Sequence, residues 1–491
     1  MDLRTSNDSG ASVAPWLANA PVFESWRKFV DSDQTPFTIP GHKGLGGNLD
    51  PSLGRLLASD VPLYGGLDTV KLTGSVLARA ERLGADIWGA DWCRYSTGGS
   101  THANQALCLA LGRPGDTVLV SRTAHRSTLL GLVLAGLRPA WIPSDIDESS
   151  GVPLGMSVPA LRAALAEHPT AAGVLCVDPS YLGTVSDLDA IIDESHSRDI
   201  PVIVDQAWGA HFGFADQFPP HAMAQGADAA IISAHKTLPA FSQASVLLAN
   251  TRLLDPDRLE RAFDAALSTS PSGAILASID ASRALLASEY GVELLDTLVA
   301  RAATLRRDVG IAGLVCLEPQ DFPPGRYDPA KVVIRTSETG HSGLVLEASL
   351  LAEGIPVEMA DRDTVVPLVS LADSTASISR LADALTRAAG RGPLKPRPQV
   401  TAAQWRHEAP QVLTPREAFF APHRSVPLAA SIGHVCTELV APYPPGIPLL
   451  VPGEQITDET LAALQLSLDL GSRIAYAADP ELVTIQVVDR S

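Results

Sequence analysis

The strongest constraint on the fold is a repeated pattern between about residues 85 and 250. A short apolar run is followed by a loop and then by a helix, and runs such as AGVLCV, PVIVD and AAIISA illustrate it. These runs are short, rich in β-branched residues and uninterrupted, as expected of parallel strands buried on both faces. Their alternation with helices predicts a doubly wound α/β domain with a large, mostly parallel sheet.

The composition supports this class of fold. Of the 491 residues, 46% are apolar but only 5% are aromatic, so the core must consist mainly of aliphatic side chains. Such a core suits a sheet covered by helices. The formal net charge is -18 and no Lys/Arg-rich block occurs, which disfavours binding to nucleic acid or to an anionic membrane surface.

The cysteines and the termini predict a cytoplasmic protein. Five cysteines are widely spaced and form no CxxC pair, which is typical of free thiols in a reducing compartment and not of a disulfide set or a zinc site. The amino terminus lacks the apolar run of a signal peptide. No stretch of about twenty apolar residues occurs, so we expect no membrane span.

We divide the chain into four segments. Residues 1–30 form an amino-terminal arm, and residues 31–300 form the large domain with the main sheet. Residues 301–392 read as a small α/β domain, and residues 393–491 as a carboxyl-terminal α+β domain. The Pro- and Gly-rich sequence GRGPLKPRPQV predicts a linker between the last two.

Polar residues directly follow several of the predicted strands. In an open parallel sheet the carboxyl ends of the strands face a common edge, where ligands bind. The residues that we place there are Ser100, Thr101, His125, Asp178, Tyr181, Asp205, Ser233, His235 and Lys236. We therefore expect these side chains to meet at one site.

The sequence TGGST lies between a predicted strand and a predicted helix. Gly98 and Gly99 let the backbone approach a ligand closely, and Ser100 and Thr101 add hydroxyls at the helix start, a combination that favours phosphate. A simple helix cap explains this turn equally well when it is taken alone. The turn matches neither GxGxxG nor GxxxxGK[ST], which disfavours a dinucleotide or a nucleoside triphosphate.

Two charged residues end apolar runs, where an unpaired charge would be costly. Asp205 ends PVIVD, and its partner could be a protonated pyridine nitrogen or, alternatively, a cation of the protein. Lys236 follows AAIISA, and it could be a Schiff-base amine whose pKa desolvation lowers or, alternatively, a lysine that reaches the surface.

His125 could stack on a planar cofactor or could only begin a helix. Ser233 and His235 could complete a phosphate pocket, although a structural role is as good an interpretation of each alone. A phosphate loop, a stacking ring, an acid for a pyridine nitrogen and a strand-end lysine are together what pyridoxal 5'-phosphate requires. We therefore predict this cofactor, and no metal.

Longer motifs resemble a known family. SAHKTLPAFSQ around Lys236 is similar to a lysine signature, and PGHKG, SYLGTVSDL, VDQAWGAH, STSPS and PYPPGIPLLVPGE occur in the family's order. The chain resembles the fold-type I pyridoxal-phosphate decarboxylases for ornithine, lysine and arginine. The resemblance runs from about residue 35 to residue 457 and is to the short bacterial form, which lacks an amino-terminal wing domain.

The resemblance implies roles for individual residues. It makes Lys236 the cofactor lysine, Asp205 the partner of the pyridine nitrogen, and Ala207 the residue packed under the ring. The remaining implied residues are His125 for stacking, Ser100, Thr101, Ser233 and His235 for the phosphate, Thr269 for the phosphate of the neighbouring subunit, and Glu454 near the distal end of the substrate. It also implies a homodimer, or an oligomer built from dimers, with shared active sites.

The activity implied is α-decarboxylation of a basic L-amino acid, with arginine slightly favoured by analogy, to a polyamine precursor. Two departures bear on the substrate: Trp208 stands where short members commonly have histidine, and His434 where arginine is more usual. The alternatives are another pyridoxal-phosphate reaction, namely aminotransfer, a retro-aldol step or oxidative decarboxylation, and a non-catalytic paralogue. A nicotinamide dehydrogenase is disfavoured because the glycine fingerprint is missing.

Overall fold

The computed structural model describes residues 14–32, 37–44, 46–61, 76–147, 150–390, 395–396, 409–443, 448–469 and 471–489. Three predicted features lie partly outside these ranges: the start of the arm, most of the linker, and residues 444–447 of the Pro-rich loop. No helix in the described ranges is long and apolar enough to cross a membrane.

The first half of the chain alternates helices and strands, as the sequence predicts. Its elements are α1 (Pro21–Val30), α2 (Pro51–Leu57), α3 (Val76–Trp88), β1 (Trp92–Ser96), α4 (Gly99–Leu111), β2 (Thr117–Ser121), α5 (Arg126–Ala135), β3 (Arg138–Ile142), β4 (Ser144–Ile146), β5 (Pro153–Met156), α6 (Val158–Glu167), β6 (Val174–Val177), α7 (Leu188–His196), β7 (Val202–Asp205), β8 (Ala229–Ser233), α8 (Ala234–Thr237) and β9 (Ser245–Ala249).

The second half is built from longer helices and shorter strands. Its elements are α9 (Pro256–Ala266), α10 (Gly273–Leu286), α11 (Glu289–Ile311), β10 (Val315–Cys316), β11 (Ile334–Arg335), α12 (Gly343–Ala352), β12 (Met359–Ala360), β13 (Thr364–Val366), α13 (Thr375–Ala389), α14 (Pro415–Phe420), β14 (His423–Pro427), β15 (Ala441–Tyr443), α15 (Asp458–Asp469), β16 (Arg473–Ala475) and β17 (Thr484–Val488).

The main sheet has seven strands in the order β1-β9-β8-β7-β6-β2-β3. Neighbours from β8 to β3 are parallel, whereas β9 runs antiparallel to both β1 and β8. Because β1 and β8 are both antiparallel to β9, β1 points the same way as β8 and the other parallel strands. The predicted mostly parallel sheet is confirmed, and six of its strands end at the same edge.

The apolar strands are buried on both faces, which explains their uninterrupted sequences. In β7, Val204 belongs to one buried apolar cluster, together with Leu119 and Ile232, whereas its neighbour Ile203 belongs to a second, together with Ile231. Successive side chains of a strand point to opposite faces, so each face of the sheet has its own core. Helices therefore cover both faces, as in a doubly wound fold.

A second, smaller sheet follows in the chain. Its four short strands lie in the order β10-β11-β13-β12 and are all antiparallel. Three of these strands overlap the apolar runs KVVIRTS, PVEMA and VVPLVSL of the segment that we read as a small α/β domain. An isolated bridge between Thr184 and Tyr327 joins the loop after β6 to the segment before β11. The segment that leads into the small sheet therefore lies against the carboxyl edge of the main sheet.

The last part of the chain contains two two-stranded sheets, β14-β17 and β15-β16. Its own apolar cluster includes Val440, Leu450 and Ile485. All five cysteines are free thiols, as predicted, and only Cys316 is less than fully buried.

Candidate active site

The carboxyl edge of the main sheet carries a cavity of about 350 Å³, a volume within the range of small-molecule sites. It is walled by the loops that follow β1, β2, β6, β7 and β8. Nine of the predicted site residues line it: Ser100, Thr101, His125, Tyr181, Asp205, Ala207, Ser233, His235 and Lys236. Strands of common direction end at this edge, and their loops therefore converge.

The start of α4 forms one end of the cavity. Gly99 adopts a positive φ of 68°, and its N–H donates to the Gln243 carbonyl at 2.9 Å, so this turn requires glycine. No side chain caps the helix. The Ser100 hydroxyl lies 2.6 Å from that of Ser233 and 3.2 Å from that of Ser245. Uncapped helix N–H groups beside hydroxyls form a site for an anion such as phosphate.

Asp205 closes the floor of the cavity and is held by two donors. The Asn104 amide donates to its Oδ2 at 2.9 Å, and the Ala207 N–H donates to its Oδ1 at 3.2 Å. No cation of the protein pairs with this buried carboxylate among the described residues, so the alternative of an internal ion pair is not realised. An acceptor in this position suits a protonated ring nitrogen of a ligand.

Asn104 is a site residue that the sequence interpretation missed. Besides holding Asp205, its amide donates to the Ser127 hydroxyl at 3.0 Å, and its carbonyl accepts from the Thr128 hydroxyl at 3.1 Å. Asn104 stands four residues after Ser100 on α4, so the helical spacing already placed both residues on one face. This spacing is the signal that could have identified it.

His125 both begins α5 and lines the cavity, so its position at the helix start still leaves it beside a bound ligand. Its Nδ1 accepts from the Ser127 N–H at 3.2 Å and lies 2.8 Å from the Ser127 hydroxyl. Desolvation, with the nearby charges of Lys236 and Arg126, lowers the pKa of His125, while Asp205 opposes the shift. The ring is therefore neutral at neutral pH, which suits stacking on another flat ring.

Lys236 projects from the short helix α8 directly after β8. Its Nζ lies 4.6 Å from the centroid of the Trp208 ring, and both residues line the cavity. Burial lowers the pKa of Lys236, with Asp205 and Glu358 acting in the opposite direction. A lower pKa raises the fraction of neutral amine, which is the nucleophilic form.

A second buried lysine, Lys331, was not among the predicted site residues. Its Nζ lies 3.9 Å from the Trp208 ring centroid and 5.1 Å from the Tyr181 ring centroid. Burial lowers the pKa of Lys331 to about 8, and it forms no ion pair with any described residue. The sequence feature that could have identified Lys331 is the one used for Lys236, since the lysine of DPAKVVI also stands beside an apolar run.

Three predicted residues lie outside the cavity wall. Asp178, which was expected to meet the others at this edge, is fully buried, and its Oδ1 accepts from the Ser186 N–H at 2.5 Å. Thr269 is exposed on the loop between α9 and α10. Glu454 is fully buried, and both of its oxygens accept from Arg122, one of them at 3.1 Å from Nη2. The Val451 N–H donates to the same carboxylate at 3.0 Å. Glu454 is thus neutralised within the chain and lies behind the loop that carries His125.

The two departures noted in the sequence differ in position. Trp208 lines the cavity beside Lys236 and packs edge-on against Tyr181 at 5.0 Å between ring centroids, with an interplanar angle of 72°. His434 is not part of the cavity wall. Of the two, Trp208 therefore bears on what the site accepts.

Comparison with known proteins gives a consistent result. Residues 20–321 match the family model "Orn/Lys/Arg decarboxylase, major domain", and residues 398–470 match "Orn/Lys/Arg decarboxylase, C-terminal domain". The chain belongs to the Orn/Lys/Arg decarboxylase family. It is accordingly an amino-acid decarboxylase.

Individual proteins that are similar to this chain also carry the names of decarboxylases. The arginine decarboxylase of Bacillus subtilis is 32% identical over 481 residues, which cover 95% of this chain and 97% of the relative. That of Halalkalibacterium halodurans is 31% identical, with the same coverage. The Francisella novicida lysine decarboxylase structure superposes with a TM-score of 0.81 at 20% identity, covering 96% of this chain and 81% of that one. This likeness confirms the predicted fold class.

Proposed function

We propose that the chain catalyses the pyridoxal 5'-phosphate-dependent α-decarboxylation of a basic L-amino acid, with arginine as the favoured substrate. The observation that carries the proposal is that Lys236, Asp205 and the uncapped start of α4 line one cavity. The names of the full-length relatives support arginine over lysine and ornithine.

The residues present fit this cofactor. The free N–H groups of α4 with the hydroxyls of Ser100, Thr101 and Ser233 suit its phosphate, and His235 lines the same wall. Asp205 suits its ring nitrogen, because this buried carboxylate has amide donors but no cation of its own. The small side chain of Ala207 and the neutral ring of His125 leave room for a flat ring and a surface for it to stack on.

When it is bound, pyridoxal phosphate supplies the electron sink that makes loss of the α-carboxylate feasible. The chain's residues prepare the site for this chemistry. Burial lowers the pKa of Lys236, so its amine is the group that would hold the cofactor, with the neutral form as the nucleophile. Asp205 would stabilise positive charge on the ring nitrogen, and the Asn104 amide holds its carboxylate.

Trp208 and Tyr181 form an apolar wall next to Lys236. Such a wall excludes water from one side of the reacting amino acid. A carboxylate that leaves water for an apolar environment loses its hydration, which favours its departure as neutral carbon dioxide. We propose that this wall is where the α-carboxylate is desolvated.

We further propose a cytoplasmic homodimer with shared active sites. Thr269 is exposed on a loop and takes no part in the cavity of its own chain, as a residue that serves a neighbouring subunit would be. The five free cysteines suit a reducing compartment.

The proposal is tested by a product screen. The purified protein, loaded with pyridoxal phosphate, is incubated with L-arginine, L-lysine and L-ornithine, and amines and carbon dioxide are measured. We expect one amine and one carbon dioxide per substrate consumed, most rapidly with arginine. Keto acids or aldehydes in place of the amine would contradict simple decarboxylation, and the Lys236→Ala variant gives the background rate.

A further inference from the structure

A site that selects a cationic substrate side chain over a neutral one needs a carboxylate near the position of that cation, because complementary charge provides the discrimination. The acids nearest the cavity are mostly engaged. Asp205 is held by Asn104 at the floor, and Glu454 is neutralised by Arg122. Asp328 lies 3.3 Å from the His211 ring. None of these three carboxylates is therefore available to the distal cation of a basic substrate.

Glu358 meets this requirement. It directly precedes β12 in the small sheet, and its side chain is exposed. The Tyr181 hydroxyl donates to its Oε1 at 2.7 Å, and the Tyr181 ring lines the cavity. The carboxylate thus stands at the rim, fixed by a residue of the cavity wall.

Glu358 has no cationic partner in contact. It forms no ion pair with any residue in the part of the chain that the structure describes. The positive groups that face it are Lys236 and Lys331, and its negative charge opposes the lowering of the pKa of both. Its field therefore reaches the reacting end of the cavity.

We infer that Glu358, oriented by Tyr181, binds the distal guanidinium or ammonium group of the substrate and so determines the specificity for basic amino acids. This inference rests on the proposed function and adds the residue that selects the substrate class. The substrate would then span from Lys236 on the main sheet to Glu358 on the small sheet, so both sheets would contribute to recognition.

The test compares the holoenzyme with its Glu358→Gln variant, which keeps the shape and removes the charge. The matched control is Glu353→Gln, another exposed acid five residues earlier in the chain, which is paired with Arg387 at 2.5 Å. The ligands are L-arginine as substrate and L-citrulline, its neutral isostere, as competitive inhibitor. Absorbance of the bound cofactor is recorded for every variant.

We expect Glu358→Gln to raise the KM for arginine about tenfold, since a hydrogen bond to a charged group is lost, with a much smaller change in kcat. The inhibition constant of citrulline should change less than twofold, and Glu353→Gln should behave as wild type. Tyr181→Phe should lie between wild type and Glu358→Gln, because it frees the carboxylate without removing it.

An unchanged KM for arginine in Glu358→Gln, with wild-type turnover and cofactor absorbance, would overturn this inference alone. An equal loss of affinity for arginine and citrulline would also overturn it, since Glu358 would then not distinguish a charged side chain from a neutral one. Failure of the wild-type holoenzyme to turn over any basic amino acid would instead overturn the proposed function, and this inference with it.

Discussion

At the scale of single residues, the site is defined by two amines that lie against one indole ring. Lys236 and Lys331 approach the Trp208 centroid to 4.6 Å and 3.9 Å. The sequence predicted the first, because it follows a strand of the repeated pattern. It did not predict the second, because the position of Lys331 depends on how the small sheet packs against the main sheet, which is not a local property of the sequence.

Lys331 gives a prediction for stability. Its pKa falls from 10.5 to about 8 on burial, so the native state binds fewer protons than the unfolded state between these values, and stability rises with pH there. Below about pH 8 the full penalty of the buried charge applies. Lys331→Met should therefore be more stable than wild type at pH 7, by roughly 2–3 kcal/mol.

The measurement is thermal unfolding of both proteins at pH 7 and at pH 10.5, without cofactor. The advantage of Lys331→Met should shrink as the pH rises from 8 to 10.5. A variant less stable than wild type at pH 7, by the same amount at both pH values, would contradict the direction of the pKa shift.

Asn104 gives a prediction for cofactor affinity. Asn104→Ala removes one of the two donors that hold Asp205, and we expect pyridoxal phosphate to dissociate about tenfold more readily, as for the loss of one hydrogen bond to a charged group. The measurement is a cofactor titration followed by absorbance. Asn250→Ala is the control, because Asn250 follows β9 at the opposite edge of the sheet. Equal affinities in the two variants would refute this role of Asn104.

At the scale of elements, the sequence predicted the central strands well and the site loops only in part. Runs such as PVIVD are buried on both faces and cannot be anything but inner strands, so β7 was predicted to within a residue. The pairing of Glu454 with Arg122 could not be predicted, because the two residues are 332 positions apart and only the packed chain brings them together.

This ion pair gives a prediction about the loop that carries His125. Both side chains are almost fully buried, so Arg122→Met leaves Glu454 uncompensated and should destabilise the protein by about 3 kcal/mol. The control is Arg162→Met, which breaks an equally direct pair with Glu194 whose arginine is exposed, and which should cost less than about 1 kcal/mol. Thermal unfolding compares them. Equal losses of unfolding free energy in the two variants would show that burial does not determine the contribution of the ion pair. Recovery of stability in the double variant Arg122→Met with Glu454→Met would support the prediction.

At the scale of the whole molecule, the sequence predicted the doubly wound sheet but not its strand order. The reversal of β9 between β1 and β8 is set by packing across the sheet. Similarly, nine of the twelve predicted site residues share one cavity because strands of common direction end at one edge. Of the other three, Thr269 and Glu454 were assigned by resemblance and not by the position of a strand end, whereas Asp178 follows β6 but is fully buried.

Shared active sites give a prediction at this scale. Lys236→Ala inactivates the site of its own chain, and Thr269→Arg should inactivate the site of the neighbouring chain. Dissociating and reassociating the two inactive variants together should restore about a quarter of wild-type activity, because half of the random dimers are mixed and each has one intact site. No recovery, with mixed dimers demonstrated by differential tagging, would contradict a shared site that includes Thr269.

The most direct test of the account is to identify the lysine that carries the cofactor. The loaded protein is reduced with sodium borohydride, which fixes the cofactor to its lysine, and the digested peptides are analysed by mass spectrometry. The added mass is predicted on the peptide that contains Lys236 and should be absent from Lys236→Ala. Modification of Lys331, the other amine beside Trp208, or of neither lysine, would contradict the account.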